Sequence, residues 1–115
     1  MRACLLAVSF ALVVLLPGTP AWAAKTYSGE EAAALRCAAI LSMVPTAMNR
    51  MGLMSRQNLS VFHAASGIIL TRYVSGTQRQ KLKARETVIG RRDASEHVKD
   101  FQTRAKTCIR QFPLS

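Results

Sequence analysis

At 115 residues the chain has room for one small domain, and half of its residues are apolar while 19% are charged, a balance that favours a folded core over disorder. Sixteen Lys and Arg against six Asp and Glu give a net charge of +10, which directs attention to anionic partners. Length and the presence of only three cysteines exclude a multidomain enzyme, a multi-span membrane protein and a cysteine-dense mini-scaffold.

The N-terminus reads as a secretory signal. Met1 and Arg2 supply a positive start, Leu5 to Leu16 form an apolar run, and Pro17, Gly18 and Pro20 break it. Ala21-Trp22-Ala23 then sets small residues at the positions a signal peptidase reads, for a cut after Ala23. The run is shorter than the ~20 residues a spanning helix needs. Residues 1–23 are therefore expected to be removed, leaving a domain at 24–115 that is exported to the bacterial periplasm or secreted. No second apolar run is read as long enough to span a membrane, so no anchor is expected in the mature chain.

Removal of the signal takes Cys4 with it and leaves Cys37 and Cys108. An even pair in an oxidising compartment, with no CxxC spacing, is expected to form a structural disulfide.

Four helices follow from caps and periodicity, in an all-α, four-helix domain. Ser28 with Glu31 has the spacing of a capping box. The helix after it carries Ala34, Cys37, Leu41, Val44, Met48 and Met51 on one stripe, and only Arg36, Ser42 and Thr46 are polar between Ala32 and Met48. Pro45 is expected to kink or break that helix. Gly52 and Ser55 mark a turn, and a second helix runs from about Arg56 to Val74 with Leu59, Phe62, Ser66, Ile69 and Tyr73 on one face. Ser75-Gly76 closes it, and Thr77 with Gln80 opens a short third helix whose apolar residues are Leu82, Val88 and Ile89. Asp93 with Glu96 starts the fourth, with Val98, Phe101, Ala105, Cys108, Ile109 and Phe112 as its stripe, and Pro113 stops it. Cys37 and Cys108 fall on core-facing stripes of the first and last helices, so a bond between them joins the two.

Charge is the main functional signal. Between Arg72 and Arg92 the chain holds seven basic residues against Glu86 alone. Arg79, Lys81, Lys83, Arg85, Arg91 and Arg92 form the candidate anion-binding set around the third helix. The partner would be an acidic protein or an anionic lipid or glycan of the cell envelope. Export, and the lack of a central aromatic residue for base stacking, weigh against nucleic acid.

A second reading uses Met48, Met51 and Met54 as soft thioether ligands for Cu(I), with core packing as the competing role for the same residues. His63 and His97 lack metal-ligand spacing and are expected to be partly exposed or hydrogen-bonded. No nucleophile motif, phosphate loop or free carboxylate pair is present, so no enzyme activity and no cofactor are expected. In size and cysteine count the chain is similar to small periplasmic acid-stress chaperones, which would imply a stress chaperone as a third reading. An acid switch needs many groups titrating in acid, and six carboxylates are few for one.

Overall fold

A computed structural model describes residues 25–115; the expected signal peptide, with Cys4, lies outside them. Four helices make up the described chain: α1 (Gly29–Arg50), α2 (Arg56–Tyr73), α3 (Gln78–Gly90) and α4 (Ala94–Gln111), with no strand among the described residues. The expected number, order and type of elements all hold.

The first helix, α1, is the centre of the fold and packs against each of the other three. Ala34, Leu35, Cys37, Ala38, Ile40, Leu41 and Val44 are buried on it. That burial covers more than one face, as expected of a helix with three neighbours. By length and composition α1 is apolar enough to cross a bilayer. A count of unbroken runs misses this because Arg36, Ser42 and Thr46 interrupt it. Half of the stretch is buried inside the fold.

Pro45 does not break α1. The helix continues through it to Arg50, with the proline itself buried. One backbone donor is lost there, while the Thr46 hydroxyl donates to the Ser42 carbonyl at 2.7 Å. Burial of Leu41, Val44 and Pro45 itself outweighs the local preference to stop.

Around this core, α2 buries Ala65, Ser66, Ile69 and Leu70, and Val74 just beyond it. Edge-on aromatic pairs join α2 to α4 at two levels: Phe62 with Phe101 at 5.5 Å and Tyr73 with Phe112 at 5.2 Å between ring centres. The Tyr73 hydroxyl also donates to the Pro113 carbonyl at 2.6 Å, which fixes the end of the chain against α2.

Cys37 and Cys108 form the expected disulfide, with their Cα atoms 5.6 Å apart. It joins the middle of α1 to the last turn of α4. The core face of α4 is rotated slightly from the expected stripe. His97, Phe101, Ala105, Cys108 and Phe112 face inward, whereas Val98 and Ile109 lie at the exposed margin. The inward set keeps a strict spacing of three and four; a polar His97 at its start concealed its phase. Met51 also departs from its expected place on the α1 stripe, because the helix ends at Arg50 and the Met51 side chain is exposed.

Candidate cationic cleft

The site is built by a clamp on Ser75, in the linker between α2 and α3. The Ser75 N–H donates to Glu31 Oε1 at 2.7 Å, and the Tyr27 hydroxyl donates to the Ser75 carbonyl at 2.7 Å. Lys25 donates to the Ser75 hydroxyl, and its ammonium lies 5.3 Å from the centre of the Tyr27 ring. This is why the expected capping box at Ser28 and Glu31 does not form. The Glu31 carboxylate, which would accept from the Ser28 N–H in a box, accepts from Ser75 instead, and the Ser28 hydroxyl makes no cap bond either.

The same bonds set the local proton affinities. Hydrogen bonding from Ser75 holds the Glu31 carboxyl below its ordinary value, and the nearby Lys25 and Lys81 charges act in the same direction. Burial first, and the Glu31 charge second, push the Tyr27 hydroxyl above its ordinary value, so it stays protonated as a donor. Gly76 follows with a φ of +103°, and a Cβ there would stand 2.9 Å from the Tyr27 hydroxyl oxygen and 2.8 Å from Gln80 Oε1. Only glycine fits both the backbone and the space. The expected capping box of Thr77 and Gln80 is complete and launches α3 from this fixed point.

Thus positioned, α3 leans on α1 through Leu82, Ala84 and Val88, which are partly buried. Between the two helices, the start of α4 and the segment before α1 lies a cavity of about 330 Å³. Leu35, Ile40, Ala84 and Val88 contribute apolar wall, and Lys25, Arg36, Lys83, Arg91 and Arg92 contribute positive charge. Asp100 is the single carboxylate in the lining, and Arg92 holds it at 3.0 Å. Buried His97 closes one side, its Nε2 at 2.6 Å from the Ile89 carbonyl, to which it donates.

The six basic residues singled out from the sequence separate into three groups. Lys83 and Arg91 line the cleft, while Arg79 is exposed and Lys81 half-buried on the same helix outside it. Arg92 lines the cleft too, but its charge is shared between Glu96 at 3.2 Å and Asp100. Arg85 turns inward instead. Its Nη1 donates to the Ser66 hydroxyl at 3.1 Å, and Ser66 in turn donates to the Ala38 carbonyl at 2.7 Å. Arg85 thus joins α3 to α2 and α1 as a structural contact. Its spacing from Leu82 and Ile89, three and four residues, was the available sign that it shares their face.

Sequence reasoning missed Lys25 and Arg36 as cleft residues. Arg36 did carry a signal, as the one charge in the apolar stretch of α1; Lys25 carried none. The other candidates are dispersed. Met51 is exposed in the α1–α2 turn, with Met48 and Met54 half-buried on either side. Among the described residues no group of three His, Cys, Asp or Glu side chains could hold a metal. His63 Nε2 lies 2.8 Å from the Thr46 hydroxyl, which already donates to Ser42, so the histidine is the donor.

Fold and site together define a small, all-α, disulfide-linked helical protein with a cationic cleft. No protein-family model matches the chain, and no curated protein or solved structure matches it.

Proposed function

We propose that this chain is an exported, non-enzymatic binding protein that holds an anionic component of the cell envelope in the cleft between α1, α3 and the start of α4. One observation carries the reading. Lys25, Arg36, Lys83 and Arg91, from separate parts of the chain, converge on one cavity and make no ion pair among the described residues. Like charges repel, so their convergence costs stability unless an anion offsets it. The apolar wall beneath them favours an anionic group on a partly apolar body, such as an acidic segment of a partner protein or a lipid or glycan headgroup. The disulfide is compatible with an oxidising compartment outside the cytoplasm.

The test uses soluble probes. Binding of poly-glutamate and of a phosphorylated glycan is measured by titration calorimetry at about 50 and 500 mM salt. Binding at low salt that weakens at least tenfold at high salt, and falls similarly in a Lys83→Glu, Arg91→Glu double variant, is the expected result. An Arg110→Glu control on the outer face of α4 should bind nearly as wild type. Equal losses in the control and the cleft variant would place the effect in net charge and sink the cleft reading.

A further inference from the structure

The turn joining α1 to α2 presents an apolar tip. Met51, Leu53 and Val61 are 64%, 68% and 63% exposed, the highest values among the large apolar side chains of the described residues. Val61 lies in the second turn of α2, about 8 Å along the helix axis from its start. Scattered apolar exposure needs no explanation, but three such side chains at one end of a helical hairpin do.

The tip is held in place by its own backbone. The Leu53 N–H donates to the Met48 carbonyl at 2.8 Å and the Gly52 N–H to the Asn49 carbonyl at 3.0 Å, with Gly52 at a φ of +74°. These are the two bonds of a Schellman motif. Asn49 Nδ2 donates across the turn to the Met54 carbonyl at 2.9 Å, and the Ser55 hydroxyl caps α2 by accepting from the Asn58 N–H at 3.1 Å. In a Schellman motif the residue in Leu53's place commonly folds its side chain back onto the last helical turn. Here it stays in solvent. The turn is ordered, and its apolar groups are presented outward.

Charge identifies the occupant. Arg50 and Arg56 flank the tip and are exposed, and the chain carries no Asp or Glu from Ala32 through Arg85. Apolar side chains at a tip, arginines flanking them on both sides and no carboxylate from Ala32 to the end of α2 match the boundary between acyl chains and anionic headgroups. We propose that the α1–α2 turn docks on an anionic lipid bilayer, with Met51, Leu53 and Val61 entering the interface and Arg50 and Arg56 meeting the phosphates. This rests on residues separate from the cleft and stands or falls apart from it.

The experiment is flotation of the exported protein with vesicles of phosphatidylcholine alone or with about one-third phosphatidylglycerol. Wild type should float with the anionic vesicles and hardly at all with the neutral ones. A Met51→Ser, Leu53→Ser variant should lose about tenfold in partitioning, as should Arg50→Gln, Arg56→Gln. Both sites are exposed, so circular dichroism should show an unchanged fold. The Lys83→Glu, Arg91→Glu cleft variant should keep the greater part of its flotation. Three outcomes would overturn the proposal: no flotation of wild type, flotation unaffected by the serine pair, or a loss confined to the cleft variant. A dimer in sedimentation velocity that the serine pair dissolves would assign the tip to a second copy of the chain and overturn it too.

Discussion

The Glu31 carboxylate accepts from the Ser75 N–H, and Asp93 caps α4 by accepting from the Glu96 N–H at 2.9 Å and the Ser95 hydroxyl at 2.7 Å. These bonds favour the ionised form and hold both groups below their ordinary values of 4.5 and 3.8. In the folded chain they therefore stay ionised to lower pH than in the unfolded one. Their contribution to stability is complete above the ordinary values and is lost as pH falls through the lowered ones. The melting temperature should decline as pH falls from about 5 toward 2. Glu31→Gln should flatten part of that decline and also loosen the start of α3. A variant whose acid profile parallels wild type would show that the Ser75 clamp carries no stabilising charge. At this scale the sequence was readable only where partners are close by. Thr77–Gln80 and Asp93–Glu96 are local pairs, and both formed as spaced. Glu31 had a local partner and a distant one, and nothing in its neighbours indicates that Ser75, 44 positions away, would take it.

Among the elements, α1 and α4 are held by a covalent bond as well as by packing. The Cys37–Cys108 bond closes a long loop that contains all of α2 and α3. Reduction, or Cys37→Ser, should lower stability by about 2–5 kcal/mol in denaturant unfolding. Non-reducing peptide mapping should recover the linked pair; free thiols at both positions would contradict it. The helices and turns could be read from caps, glycines and periodicity, and this pairing from cysteine parity together with the helical phase of Cys37 and Cys108. The exceptions have one cause. Pro45 inside α1, His97 on the buried face of α4 and Arg85 on the inner face of α3 are residue types that disfavour those positions locally. Each is settled by tertiary contact: burial for Pro45, the Ile89 carbonyl for His97, and Ser66 for Arg85.

For the whole molecule, an excess of positive charge was legible at once, but its arrangement was not. A linear run from Arg72 to Arg92 suggested a basic surface around the third helix. Folding withdraws Arg85 from that surface, offsets Arg92, and brings in Lys25 and Arg36 from the other side of a cavity. A concave site is a property of packing, and no spacing rule along one helix contains it.

The outer wall of that cavity is also the least anchored helix. Gln78–Gly90 has no buried residue, and at 13 residues it is near the length below which an isolated helix barely persists in water. Its hold on the rest is a capped start, the Arg85 contact and a few half-buried side chains. Local opening should therefore occur there well before the disulfide-linked frame gives way. Amide hydrogen exchange followed by mass spectrometry should find the α3 amides exchanging at least tenfold faster than those of α1 between Ala34 and Val44. An occupied cleft would be paired with Lys83 and Arg91 on that wall, so a bound anion should slow α3 selectively. If the proposed anion binds, the weakness of one helix becomes a gauge: its exchange rate would report whether the cleft is empty or filled.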